Sequence, residues 1–267
     1  SGELGPRPKL AVINLDDPYG QRLHGEICEK VETITFGTLP ACDVQVENAQ
    51  VMREGSSFTL KLGNRRYAVT THLVGEHNIL NAVGALATAY ALGISVKDSV
   101  AALADFKGVP GRLERISLGQ KFEVLVDYAH TDESLRCTLN ALRKIYTGRI
   151  ITVFGCGGNR DQTKRARMTA VAMTLSDLTI ATADNPRREQ LKDIFKMMQA
   201  GVVAGKQIEF VESRRAAIER AITLAHAGDC VLIAGKCHET TQEFADAIVP
   251  FDDRQVAREV LRELGHA

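Results

Sequence analysis

The chain has 267 residues, 45% of them hydrophobic and 25% charged, and its 33 basic side chains balance 33 acidic ones. This is an ordinary globular composition with room for one large domain or two modest ones. It excludes a global basic field for nucleic acid, so any anion site is local. No apolar run is long enough to cross a membrane, and no charged-then-apolar leader opens the sequence. Cysteines 28, 42, 137, 156, 230 and 237 form no CxxC pair and no zinc-type spacing with His, a pattern suited to a reducing cytoplasm.

Residues 9–15 read as a buried strand closed by the turn Asp16-Asp17-Pro18-Tyr19-Gly20. The two carboxylates there either serve a nucleotide or metal or cap a helix starting near Gln21. Short β-type runs follow at 31–36, 44–51, 57–62 and 66–71, punctuated by Gly55 and Gly63-Asn64. They predict a small antiparallel patch. Gly75-Glu76-His77-Asn78-Ile79-Leu80-Asn81 opens a helix reaching Leu92, and Gly93 stops it. His77 and Asn81 share a face, and read by themselves His77, Asn78 and Asn81 favour capping over reading a base. A second helix runs from Ser95, a natural N-cap, to about Asp105. Gly and Pro cluster at Lys107-Gly108-Val109-Pro110-Gly111, the expected domain boundary.

Beyond that point strand and helix alternate. Strands are expected at 122–128, 149–155, 178–183, 207–211 and 230–234, with helices at 132–146, 162–175, 189–201, 214–226 and 252–264. The fold class is therefore α/β: a Rossmann-like, doubly wound, mostly parallel sheet. Right-handed crossovers put the carboxyl ends of its strands on one rim. Four polar loops share that rim: Asp127–Thr131, Gly155–Asp161, Asp184-Asn185-Pro186-Arg187 and Gly235-Lys236-Cys237-His238-Glu239. Pro186 restricts itself and Asn185, which aims the Asn amide and the Arg187 guanidinium. An amide beside a planar guanidinium suits a carboxylate; a plain strand-to-helix turn with a solvated Arg is the other reading.

The run Gly155-Cys156-Gly157-Gly158-Asn159-Arg160 approaches a dinucleotide fingerprint, with Asp184 near the place of the acidic residue. Arg160 stands where the third Gly belongs. No G-x-x-x-x-G-K-[ST] phosphate loop occurs in the sequence.

Eight strings in register resemble the Mur ligase family, ATP-dependent amide-forming enzymes of bacterial cell-wall synthesis. They are Asn14-Leu15-Asp16-Asp17; Gly75-Glu76-His77-Asn78 with Asn81; Gly111-Arg112-Leu113-Glu114; Asp127-Tyr128-Ala129-His130; Gly157-Gly158-Asn159-Arg160-Asp161 with Lys164-Arg165; Asp184-Asn185-Pro186-Arg187; Gly235-Lys236-Cys237-His238-Glu239; and Phe251-Asp252-Asp253-Arg254. The Asp-Asn-Pro-Arg string resembles that of members adding meso-diaminopimelate to UDP-N-acetylmuramoyl-L-alanyl-D-glutamate. The resemblance implies that residues 3–107 form the later part of a central ATP-binding domain and 108–267 the C-terminal domain that takes the incoming amino acid. It also implies that the phosphate loop, the carbamylated lysine and the Mg2+ site lie mostly upstream, so this stretch is not expected to catalyse alone. Departures from the family pattern are Asn159, Cys237, Asp132 and Gln162-Thr163.

By the same resemblance His77 and Asn81 face adenine, Arg112 meets the ATP phosphates and Asp127 accepts from the ribose hydroxyls; a surface Arg and a helix cap are the plain readings of the last two. Arg160, Asn185 and Arg187, with Asp184 nearby, are expected to hold the distal carboxylate of meso-diaminopimelate. Glu239 and the backbone of Gly235 are expected to hold its distal ammonium. L-Lysine lacks that carboxylate and would leave two guanidiniums unpaired in a closed pocket, which predicts rejection by roughly 10⁴-fold or more. A related ligase for lysine or folate, a binding-only domain and a dinucleotide-dependent dehydrogenase are the rival readings. A half-sheet in 3–107 also predicts exposed strand edges and apolar surface, and with them self-association or partial disorder.

Overall fold

The computed structural model describes residues 8–236 and 239–266. Cys237 and His238, and the start of the expected 3–107 segment, lie outside the described residues. The chain separates into two compact units between Lys107 and Gly108.

The first unit runs β1 (Leu10–Asn14), α1 (Pro18–Ile27), β2 (Glu32–Gly37), β3 (Val44–Met52), β4 (Gly55–Leu62), β5 (Arg65–Thr71), α2 (Glu76–Ala91) and α3 (Val96–Asp105). The Asp17 carboxylate accepts the Tyr19 and Gly20 amides at 2.7 and 3.2 Å, and Pro18 opens the helix. Asp17 therefore caps α1, with Pro at the position where its missing N–H costs nothing. The sheet order is β1-β2-β3-β4-β5. The antiparallel patch is smaller than the sequence suggested, because β2 is not part of it. β2 runs parallel to β1 from Leu10↔Glu32 to Asn14↔Phe36, since α1 is a crossover that returns the chain in the same direction. Only β3, β4 and β5 pair antiparallel. Ile79, Ala82, Val83, Leu86 and Ala87 form one helical stripe of α2 and bury it against Val44, Val46, Phe58, Leu60 and Val69.

The cap of α2 also differs from expectation. Its N-cap is Gly75, at φ +106°, with no side-chain hydrogen bond. The Asn78 amide donates instead to the Val74 carbonyl at 2.9 Å, and Asn81 donates to Asn78 at 3.2 Å. Capping is thus not what these side chains do.

The second unit comprises β6 (Glu114–Arg115), β7 (Glu123–Asp127), α4 (Asp132–Ile145), β8 (Ile150–Cys156), α5 (Lys164–Leu175), β9 (Leu178–Ala183), α6 (Leu191–Gln199), β10 (Ile208–Val211), α7 (Arg214–Leu224), β11 (Cys230–Ala234), β12 (Thr241–Glu243), β13 (Ile248–Pro250) and α8 (Asp253–Glu263). Its main sheet has the order β10-β9-β8-β11-β7-β6, parallel throughout except for β6. Every residue of β8, β9 and β11 is buried, as expected for strands covered on both faces. Val124, Val126, Ile151, Val153, Val231 and Ile233 pack on α7 and α8. Alternation turns Leu125, Phe154 and Leu232, also buried, to the opposite face.

Two features have no local sequence signal. The β12–β13 hairpin is three residues per strand, too short for a periodicity to register. Arg214 and Asp253 form a fully buried ion pair, with Nε–Oδ1 and Nη2–Oδ2 both at 2.7 Å. Arg214 Nη2 also donates to the Ala234 carbonyl at 3.0 Å and Nη1 reaches the Ala183 carbonyl at 3.5 Å. One guanidinium therefore ties the last residues of β9 and β11, the strands that lead to Asn185 and Lys236.

Candidate functional site

The β9 and β11 loops meet. Asn185 is 5% exposed and its amide is used from both ends. Its Oδ1 accepts from Lys236 Nζ at 2.8 Å and from the Glu243 amide at 3.0 Å, and its Nδ2 donates to Glu239 Oε2 at 2.7 Å. Lys236 is fully buried and its Nζ also donates to Glu239 Oε2 at 2.9 Å. Burial pushes the Glu239 carboxyl up, but the hydrogen bonds from Lys236 and Asn185 and the charges of Lys236 and Arg187 outweigh it and hold the group below its ordinary value.

Arg187 sits at φ +52°, a left-handed conformation uncommon for such a residue. Glu243 holds it there. The Arg187 amide donates to the Glu243 carbonyl at 3.0 Å, and Nε donates to Glu243 Oε2 at 2.8 Å. Nη1 donates to the Gly158 carbonyl at 3.0 Å. Gln242 Nε2 donates to the Asp184 carbonyl at 2.8 Å. The Asp-Asn-Pro-Arg segment is thus splinted by β12, more than fifty residues away in sequence.

The glycine-rich loop after β8 completes this wall. The Gly158 amide donates to the Asn185 carbonyl at 2.8 Å, and a Cβ at Gly158 would stand 1.8 Å from the Pro186 carbonyl oxygen. The Asn159 amide donates to Glu189. Glu189 in turn pairs with Arg165, which is fully buried, at 2.8 Å, and that hydrogen bond holds the Glu189 carboxyl below its ordinary value. The Gly158 and Asn159 amides are therefore taken by protein acceptors and do not form a pyrophosphate cradle. The dinucleotide reading loses its motif. Cys156, beneath the loop, is inert as well, because burial pushes its thiol up to about 12.

Two sequence expectations change here. Arg160 is exposed and has no hydrogen-bond or ion-pair partner among the described residues. Arg187 already has Glu243 as a counter-ion. The two guanidiniums are therefore not both unpaired in a closed pocket, which removes the premise of the expected rejection of lysine. Asp184 and Gly235 do meet: a Cβ on Gly235, which has φ +115°, would lie 3.1 Å from Asp184 Oδ2.

The remaining candidates fall on each unit separately. In the first, His77 and Asn81 lie in the opening turns of α2. In the second, the Arg112 guanidinium stacks 4.6 Å from the centre of the Tyr128 ring, an exposed cation–π contact. Asp127 is 6% exposed; its carboxylate accepts from the Leu113 and Ala129 amides, each at 2.9 Å, and from Thr138 Oγ1 at 3.2 Å. It is not a helix cap, since Thr131 caps α4. Three donors leave one lone-pair position on the carboxylate. Lys164 Nζ donates to the His130 carbonyl at 2.7 Å. Among the described residues no group of three or more His, Cys, Asp or Glu side chains is placed to hold a metal, and no helix is long and apolar enough to cross a membrane.

Sequence reasoning missed Gln242 and Glu243, which no local pattern marks, and gave Lys236 no role although it lies inside a quoted string.

Residues 3–89 match the Mur ligase middle domain and residues 111–237 the Mur ligase glutamate ligase domain. A UDP-N-acetylmuramoyl-L-alanyl-D-glutamate--2,6-diaminopimelate ligase from Gloeobacter violaceus is 45% identical over 96% of this chain and 52% of its own length. The protein of that name from Geobacillus kaustophilus is 42% identical over 97% of this chain and 53% of its own length. A solved structure of such a ligase is 32% identical with a TM-score of 0.68, covering 97% of this chain and 54% of the other. The chain thus spans about half the length of the curated relatives it matches. With one family's domains matched in order along it, the chain belongs to the Mur ligase family.

Proposed function

We propose that this chain is the amino-acid-receiving part of an ATP-dependent ligase that joins meso-diaminopimelate to UDP-N-acetylmuramoyl-L-alanyl-D-glutamate. The observation that carries the reading is a guanidinium and a carboxylate fixed by one hydrogen-bond network: Arg187 from the β9 loop and Glu239 from the β11 loop, linked through Glu243 and Asn185. The free end of meso-diaminopimelate carries the complementary pair, a carboxylate and an ammonium on one carbon. The relatives at 42–45% identity bear names for this reaction.

In the reaction, ATP phosphorylates the substrate carboxylate. The α-amine then attacks the acyl phosphate; the new C–N bond forms as the C–O bond to phosphate breaks, and the amine gives up a proton. The contribution of this chain is positioning. Arg187 takes the distal carboxylate side, with Arg160 at the exposed rim; Asn185 links that side to Glu239, and Asp184, next to Gly235, lies on the ammonium side. Glu239 and Gly235 take the ammonium side. For ATP, His77 and Asn81 are assigned to the adenine, Asp127 to the ribose through its one remaining acceptor position, and Arg112 to the phosphates. ATP brings the activating phosphoryl group. Mg2+ is proposed to accompany ATP; among the described residues no group of three or more His, Cys, Asp or Glu side chains is placed to hold it. A reducing compartment such as the cytoplasm is the proposed location, on the spacing of the cysteines in the sequence.

The test is phosphate release by the longer protein that carries this chain, supplied with ATP and the UDP-linked dipeptide. Release should require meso-diaminopimelate. Equal turnover with L-lysine refutes the specificity, and turnover without any added amino acid refutes the reaction.

A further inference from the structure

The orientation of the ammonium half of the site is set by groups that would not touch the ligand. Asn185 alone does not fix its own amide, because a carboxamide turned by half a rotation presents nitrogen where oxygen was. The decision is made by donors on Oδ1, namely Lys236 Nζ at 2.8 Å and the Glu243 amide at 3.0 Å. With Oδ1 so committed, Nδ2 faces Glu239 Oε2. Lys236 Nζ closes the triangle on that same oxygen at 2.9 Å. Glu239 Oε1 is left without a donor among the described residues. The Glu239 side chain is 36% exposed, whereas that of Lys236 is fully buried. A fully buried ammonium occurs only where it is paired, and this one is committed to two site residues.

We propose that Lys236 is a positioning residue for the ammonium half of this site, pinning Asn185 against Glu239 so that the second Glu239 oxygen is presented to a cationic group of the incoming amino acid. The inference rests on the amino-acid reading above. Lys236 acts through Glu239 and does not touch the ligand. Removing its charge should therefore weaken only ligands that bring an ammonium to Glu239. Ligands held through Arg187 alone should be spared.

The test uses two ligands that differ by that one group: meso-diaminopimelate, and L-2-aminopimelate, which keeps the distal carboxylate and lacks the distal amine. Calorimetric titration of the native chain and of Lys236→Met should show meso-diaminopimelate weakened by about tenfold or more, as for loss of a hydrogen bond to a charged group. L-2-aminopimelate should stay within about twofold. Glu239→Gln should show the same selectivity, and Lys236→Met added to it should cause little further selective loss, since both act through one contact. Should Lys236→Met show no cooperative thermal transition, Lys236→Gln, which keeps a donor but drops the charge, takes its place. Equal loss of both ligands makes Lys236 merely structural and overturns the proposal, as does unchanged binding of meso-diaminopimelate. If the native chain binds neither ligand, it is the amino-acid reading itself that fails.

Discussion

Replacing Arg187 by Ala separates the carboxylate half of the site from the ammonium half. In the empty protein its Nε is committed to Glu243 and Nη1 to the Gly158 carbonyl, and Nη2 has no acceptor among the described residues. What the guanidinium still offers is its outer edge. A hydrogen bond to a charged group contributes about 1.5–3 kcal/mol. The Glu243 counter-ion and the 20% exposure of Arg187 argue for the lower half of that range, about 2 kcal/mol or roughly a 30-fold change in Kd. Stranding Glu243 adds little, because its side chain is 42% exposed and water solvates it. Calorimetric titration of Arg187→Ala with meso-diaminopimelate should therefore show roughly a 30-fold loss, while L-lysine, which has no distal carboxylate, should change by less than about threefold. Equal weakening of both amino acids, or no loss for meso-diaminopimelate, refutes the carboxylate assignment.

Three further outcomes follow from the packing. Gly158→Ala drives a Cβ into the Pro186 carbonyl, so a loss of about 1–3 kcal/mol is expected, read as a lower thermal midpoint together with weaker meso-diaminopimelate binding; an unshifted melt contradicts the close approach. Asp253→Asn leaves Arg214 charged and buried without its counter-ion, costing about 3–5 kcal/mol, whereas Arg214→Met combined with Asp253→Leu should recover most of that loss; denaturant melts decide, and a double variant no better than Asp253→Asn refutes the argument. The carboxyls of Glu239 and Glu189 are both held below the ordinary 4.5 in the fold. Their contribution to stability is therefore complete above that unfolded-state value and is lost as pH falls through the lower folded-state value. Thermal midpoints of the second unit should hold from neutral pH to about pH 5 and decline below it, and Glu189→Gln should shrink the decline; stability that rises on acidification contradicts the assignment.

The alternation of strands and helices after residue 110 was readable because the central strands are continuous apolar runs and the helices between them span two or more turns. Leu178–Ala183 and Cys230–Ala234 emerge as strands with the bounds the apolar runs suggested, since a strand buried on both faces has only apolar residues to display. Asp184, Asn185, Arg187 and Glu239 were identifiable as rim residues for the same reason: strand ends in a parallel sheet share an edge. The family strings, read together, carried the rest of the functional reading.

Pairing and partnership were not readable. The direction of β2 depended on α1 acting as a crossover, which a run of β-prone residues does not encode. Glu243 became the partner of Arg187, and Arg214 that of Asp253, only when segments 56 and 39 residues apart were folded together. Local sequence dictates the elements, because periodicity and turn chemistry act over a few residues. Which charge neutralises which, and so whether a guanidinium stands unpaired or already compensated, is set by long-range packing that no local window contains.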